Sequence, residues 1–151
     1  MRETATALLI FHNTKPYNEL DAALGKIAIP AERVNGLGEA RRVLSRVNPP
    51  LLVFTESELP DGNWADVVSL VARTPLPVSL IVVGQEVDTN LYASVIEAGA
   101  SDFIVPPFNA VELTHVVRCA ADKAFAHREV ARKVIARPKR RQVPGYTGNQ
   151  L

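Results

Sequence analysis

The sequence has little of several things, and each shortage closes a route. It holds one cysteine, Cys119, so no disulfide can form within the chain, and a reducing, cytoplasmic setting is expected. No apolar run approaches the roughly 18 residues that a membrane span needs. The start, Met1-Arg2-Glu3-Thr4, runs straight into a strand-like segment and carries no cleavage signature of a signal peptide. Glycine-rich phosphate loops are missing too. Neither GxGxxG nor GxxxxGK[ST] occurs, and Gly36-Leu37-Gly38 is too short a signal to count, so a nucleotide- or flavin-binding enzyme finds no support. His115 and His127 have no partners at metal-ligand spacing, and no cofactor is implied. Charge of one sign is also lacking overall: the net charge is +1 and the pI about 7.9, which argues against a polyanion binder acting through the whole molecule.

What is present is a core. Of 151 residues, 47% are apolar, enough for one folded domain and too many for a disordered chain. Four short runs are apolar on both faces: Ala7 to Phe11, Leu51 to Phe54, Val78 to Val83 and Phe103 to Val105. Runs of that kind are central parallel strands covered by helices on both sides. A weaker run, Ile27 to Val34, contains Pro30, Glu32 and Arg33, and fits a sheet edge. Helical spacing fills the gaps. Tyr17, Leu20 and Leu24 share one face, with Gly25 as a stop. Ala40, Val43, Leu44 and Val47 share another, as do Trp64, Val67, Val68 and Val71. Leu91, Val95 and Ala98 follow Asp88 or Thr89 as an N-cap, and Gly99 ends that helix. Asn109 caps the last helix, with Glu112 at the reach-back position of a capping box. Five strand–helix alternations predict a doubly wound α/β fold with a five-stranded parallel sheet. The ligand site of such a sheet lies beyond the carboxyl ends of its strands.

Two stretches carry more. One is Glu97-Ala98-Gly99-Ala100-Ser101-Asp102-Phe103-Ile104-Val105-Pro106-Pro107-Phe108, followed by Glu112-Leu113. The other is Leu51-Leu52-Val53-Phe54-Thr55-Glu56-Ser57-Glu58-Leu59-Pro60-Asp61-Gly62. The first resembles the fourth helix, fifth strand and following loop of CheY-like response-regulator receiver domains. The second resembles their third strand and its loop. Leu8 to Phe11 and Glu39-Ala40 add supporting matches, and the resemblance covers about residues 5 to 125.

In that family two adjacent acids and an aspartate hold Mg²⁺, the aspartate takes up a phosphoryl group, and a Thr or Ser and a Lys grip it. Each of those positions departs from the pattern here. The acid pair falls on His12 and Asn13, the phospho-acceptor position on Glu56, the hydroxyl position on Gly84 and the lysine position on Pro106. Neutral side chains cannot replace carboxylates around a hard cation, and proline carries no charge to meet a phosphoryl oxygen. The resemblance therefore implies a pseudo-receiver without a metal site: a regulatory domain of two-component (phosphorelay) signalling that works by protein contact and is not an enzyme. Two alternatives stand beside it. One is a receiver still phosphorylated on Glu56 or Asp61. The other is the sensor part of a DNA-binding transcription regulator.

Glu56 either mimics a phosphorylated aspartate or is a solvated loop carboxylate. Glu56, Glu58 and Asp61 together form either a weak cation site or a wet acidic loop. His12 is either a proton switch paired with Glu56 or an ordinary capped loop histidine. Cys119 reads as a small buried residue. Trp64 either packs in the core or shields the old site. Phe103, the family's switch aromatic, is expected in one buried rotamer, and the Pro106–Pro107 bond is expected to be cis. The family's usual contact face points to Leu91, Tyr92, Val95 and Phe103, with a kinase or an output domain as partner.

A receiver-like domain is assigned to 1–125 and a basic helical extension and tail to 126–151. No Gly or Pro interrupts the last helix before Pro138. Leu113, Val117, Ala120, Ala124, His127, Ala131 and Val134 follow 4-3 spacing, a coiled-coil seam that would give a homodimer. Residues 127–141 hold seven Lys and Arg against Glu129, a net +6, which leaves −5 for the rest. That segment is either a solvated helix end or a nucleic-acid contact.

Overall fold

In the computed structural model, residues 5–136 are described. They form one parallel sheet of five strands with helices on both faces. The strands are β1 (Ala7–Ile10), β2 (Ala31–Val34), β3 (Leu52–Glu56), β4 (Ser79–Val83) and β5 (Asp102–Ile104). The helices are α1 (Thr14–Lys26), α2 (Leu37–Leu44), α3 (Trp64–Val71), α4 (Thr89–Glu97) and α5 (Ala110–Ala136). The sheet order is β2-β1-β3-β4-β5, the order 2-1-3-4-5 that the resemblance to CheY-like receiver domains implies. Ala7 pairs with Leu52 on one side and Ala31 on the other, and Leu52 pairs with Ser79.

The apolar runs divide by the two-residue period of a strand. Leu9, Phe11, Leu52, Phe54, Ile81 and Val83 face α1 and α5, where they meet Leu20, Leu24, Leu113 and Val117. Leu8, Ile10, Val53, Leu80 and Val82 face α2, α3 and α4, where they meet Ala40, Val43, Val67 and Val95. Burial on both faces is why β1, β3 and β4 need unbroken apolar sequence. Trp64 packs half-buried against the second of these clusters.

Several local expectations shift. α1 runs past Gly25 to Lys26. Its end is built by Ile29 N–H donating to Leu24 O and Ala28 N–H to Gly25 O, with Ala28, not a glycine, at φ 60°. α2 ends at Leu44, and Val47 lies 81% exposed outside it. A short hairpin that the sequence did not suggest pairs Glu58–Leu59 with Gly62–Asn63. Asn63 then caps α3: its Oδ1 accepts from Ala65 and Asp66 N–H, and Asp66 Oδ2 accepts from Asn63 N–H. The expected cis Pro106–Pro107 bond is present.

The seam along α5 is not the one that 4-3 spacing picks out. Leu113, Val117, Ala120, Ala121, Ala124 and Arg128 are buried, while His127 is exposed and Val134 is 61% exposed. A straight helix packed on a sheet keeps a 3.6-residue period and drifts about 20° per heptad from a 3.5-residue repeat, so the buried stripe keeps to the 4-3 positions as far as Ala124 and then passes to Arg128 instead of His127. Leu113 to Ala124 are thus consumed by the core and cannot also line a dimer seam. Cys119 is exposed, not buried, with its Sγ 3.7 Å from Nε2 of exposed His115 one turn away. α5 passes residue 125 unbroken. Arg137, Lys139, Arg140, Arg141 and the glycine-containing tail lie outside the described residues, and among the described helices none is long and apolar enough to cross a membrane.

Asp61, in the hairpin turn, reaches across to the start of α2. Its carboxylate accepts from Leu37 N–H at 3.0 Å and more weakly from Gly38 N–H at 3.4 Å. Gly36, the N-cap residue, has no side chain to offer; a Cβ there would lie 2.7 Å from Asp61 Oδ1. The helix-end N–H of Leu37 holds the Asp61 carboxyl below its usual range. Such a carboxyl stabilises the fold above its unfolded-state pKa, and that contribution is lost as pH falls through the lower folded value. Asp61→Ala is therefore expected to cost about 1 kcal/mol at neutral pH, the size of a lost helix cap, with the difference from the parent shrinking in acid. Urea unfolding of both proteins at pH 7 and pH 3 checks this.

Candidate functional site at the carboxyl edge of the sheet

The loops after β1, β3, β4 and β5 meet at the carboxyl edge of the sheet. β3 ends on Glu56, whose neighbour Thr55 is fully buried and donates Oγ1–H to Glu56 O. Glu56 is itself only 6% exposed. A carboxylate buried that deeply needs donors. Oε1 accepts from His12 N–H at 2.6 Å and Asn13 N–H at 3.0 Å, and Oε2 accepts from Asn13 Nδ2 at 2.8 Å. Both oxygens are thus engaged by the β1–α1 loop. The extra methylene of glutamate supplies the reach. Asn13, the residue before α1, gives its side chain to Glu56 and makes no cap bond to its own helix.

The same loop is held from its other side by Arg33 on the edge strand β2. Arg33 Nε–H donates to Phe11 O and an Nη2–H to His12 O, both at 3.2 Å, and the guanidinium lies 4.2 Å from the Tyr17 ring centroid. Sequence reasoning missed Arg33. The signal was an arginine on an otherwise weak strand, and only the β1–β2 register, Leu9 opposite Arg33, brings it to the loop. His12 meets Glu56 through its backbone N–H and its side chain is exposed, in keeping with the ordinary loop histidine and not with an ion pair. The three neighbouring acids part company: Glu56 turns to the β1–α1 loop, Asp61 to α2, and Glu58 stays exposed on the hairpin.

Mg²⁺, which the fold family implies, does not fit these residues. A hard cation needs converging oxygens. Here the Glu56 carboxylate faces two backbone N–H groups and an amide NH₂, and the loop beside it presents His12 and Asn13, not carboxylates. No cluster of three His, Cys, Asp or Glu side chains suited to a metal occurs among the described residues.

Beside this latch lies an open cleft of about 440 Å³, lined by Asn13, Lys15, Pro16, Glu19, Gly84, Gln85 and Pro106. Gly84 and Pro106 form part of its wall without a polar side chain. Lys15, which sequence reasoning also missed, reaches it from α1, one turn from Glu19 of opposite charge.

Phe103 is half-buried, not fully buried, and leans over Gly84. A Cβ on Gly84 would lie 2.5 Å from Phe103 Cζ, closer than carbon atoms approach. Its other neighbour is Tyr92, edge-on at 6.3 Å between centroids. Tyr92 is 47% exposed and Leu91 half-buried, so both remain on the α4–β5 surface. Val95, expected on the same contact face, is fully buried against the sheet; it lies one turn after Leu91, on the stripe that packs inward. A groove of about 280 Å³ opens between Val87, Asp88, Thr89, Tyr92, Phe103 and Val105.

Two substitutions test these contacts. Glu56→Gln keeps the length but presents an NH₂ to facing donors. It is expected to cost about 1.5–3 kcal/mol, the range for a hydrogen bond to a charged group, read by chemical denaturation. Gly84→Ala is expected to cost about 1–3 kcal/mol by overpacking, and most of that loss should vanish in a Phe103→Ala background. Equal costs in both backgrounds would show that the ring does not fill the Gly84 position.

No protein-family model matches the chain. It is 33% identical over 103 residues to the response regulator protein PilR of Pseudomonas aeruginosa, a match that covers 67% of this chain and 22% of PilR. The chain thus spans about a fifth of that relative's length. Among solved structures it superposes on the signal receiver domain of a putative LuxO repressor protein from Vibrio parahaemolyticus with a TM-score of 0.73 at 23% identity, covering 85% of this chain and 98% of the other. NtrX from Brucella abortus gives 0.72 at 20% identity, over 85% of this chain and 30% of NtrX. A receiver domain from Clostridium thermocellum gives 0.70 at 17%, over 81% and 98%. Strand order, layering and the likeness to PilR together support one identification: a CheY-like response-regulator receiver domain.

Proposed function

We propose that this domain serves two-component signalling by protein contact and does not depend on phosphoryl transfer. The observation that carries this reading is the bonding of Glu56. Its two oxygens accept three hydrogen bonds from His12 and Asn13, so the one acid left at the acceptor position is spent as a loop latch. A nucleophile or a stand-in for a phosphorylated aspartate would need those oxygens elsewhere. Asp61, the other candidate acceptor, is engaged at the start of α2. Gly84 and Pro106 offer nothing to grip a phosphoryl group.

Phe103 supports the second half of the reading. In the family, as the resemblance implies, the aromatic turns inward when the phosphoryl group draws the hydroxyl residue away. Here glycine leaves that space open permanently, so the ring sits inward without a signal. The contact surface on this reading is the exposed edge of α4 and β5, with Val87 and Tyr92 as its apolar points and Leu91 and Phe103 beneath. The partner is a kinase or an output domain that reads one fixed shape. A cytoplasmic setting and a non-enzymatic role belong to the same reading.

Incubation with acetyl phosphate and Mg²⁺, followed by intact-protein mass measurement, is expected to show no phosphoryl adduct. An adduct that disappears in Glu56→Ala or Asp61→Ala would overturn the proposal and establish a working receiver.

A further inference from the structure

The opposite edge of the sheet, where the strands begin, carries a second built feature. Arg128 lies on α5 about five turns after the helix starts and is 1% exposed. Its side chain leaves the helix toward the segments that lead into β3 and β4. Nε–H donates to Pro77 O at 2.7 Å, and Nη2 donates to Pro49 O and Pro50 O, both at 2.9 Å. These carbonyls lie just ahead of Leu52 and Ser79, where the two strands enter the ladder. Carbonyls buried at a sheet end need donors from outside the ladder, and the forked guanidinium supplies several in one plane.

We infer that Arg128 is a positioning residue: a clamp that fixes the direction in which α5 leaves the domain. The argument rests on where the helix is held. Up to Ala124 it is fastened by apolar packing, and Ser79 Oγ–H adds one bond to Ala120 O at 2.7 Å. Beyond Phe125, which packs half-buried against the core, the apolar contacts thin out. Val130 and Val134 are 59% and 61% exposed, and Ala126, His127 and Glu129 are exposed as well. Between Ala126 and Val134 Arg128 is the one buried residue, and the helix continues past it. A helix held only by apolar contacts can slide and tilt, because such contacts have no preferred direction. Three directed bonds to two separate loops remove that freedom. The same strands carry Glu56 and Gly84 at their far ends, so the projecting helix is referenced to the two strands that build the degenerate site.

The test uses the full chain with Cys119→Ser and spin labels at Glu39→Cys on α2 and Lys133→Cys on the projecting turns. Three versions are compared: Arg128, Arg128→Lys and Arg128→Met. Lysine keeps the charge and much of the length but cannot fork. With arginine, one narrow distance distribution is expected. Both variants are expected to broaden it at least twofold and to speed amide exchange at least tenfold over 126–134, while β1 and β3 amides keep parental rates. A distribution as narrow in Arg128→Lys as in the parent overturns the clamp. So does exchange in Arg128→Lys that quickens equally in the sheet, since Arg128 would then be an ordinary core residue. If Arg128→Met fails to fold, the lysine variant alone decides.

Discussion

A carboxylate buried at the end of a central strand must be met by donors, and the surroundings of Glu56 follow from that requirement. The β1–α1 loop turns its His12 and Asn13 N–H groups toward the acid, and the Asn13 amide completes the set. The loop is then fastened from behind by Arg33 through Phe11 O and His12 O. In a working receiver this region gathers carboxylates and is held together by a cation. Here Glu56 is met by donors of the protein itself.

The second departure follows the same logic on the other side of the cleft. Gly84 leaves a gap the size of a side chain, which the Phe103 ring fills. Filling it is favourable because an unfilled gap forfeits dispersion contacts. Latch and filled gap are independent in sequence, yet each holds a side chain of the carboxyl edge by contacts within the chain.

The two edges of the sheet are treated differently. At the carboxyl edge the loops are bonded to each other. At the amino edge α5 is bonded to the roots of β3 and β4 through Arg128. The buried, apolar strands between the two edges are stiff because they are packed on both faces. A partner that grips the projecting end of α5 and one that touches the α4–β5 surface would therefore meet parts of one rigid frame.

Much of this was legible in the chain itself. Short continuous apolar runs bounded by proline and glycine read as doubly covered strands, so the parallel sheet and the helix between each pair of strands followed from local chemistry, while the strand order came with the likeness to receiver domains. The aligned loop motifs located Glu56, Gly84, Phe103 and Pro106, because their spacing from the strands is covalent. Where those side chains point was a different matter. Whether Glu56 mimicked a phosphate or faced solvent depended on donors 43 and 44 residues away, and only strand pairing brings His12 and Asn13 to it. Val95 and Cys119 changed places with respect to solvent because helix rotation on the sheet, not residue type, decides which face is inside. Arg128 is the clearest case. In sequence it belongs to a run of positive charge and reads as solvated. The 3.6-residue period of a helix packed on a sheet carries it inward, to carbonyls 51, 78 and 79 residues distant that no local pattern announces.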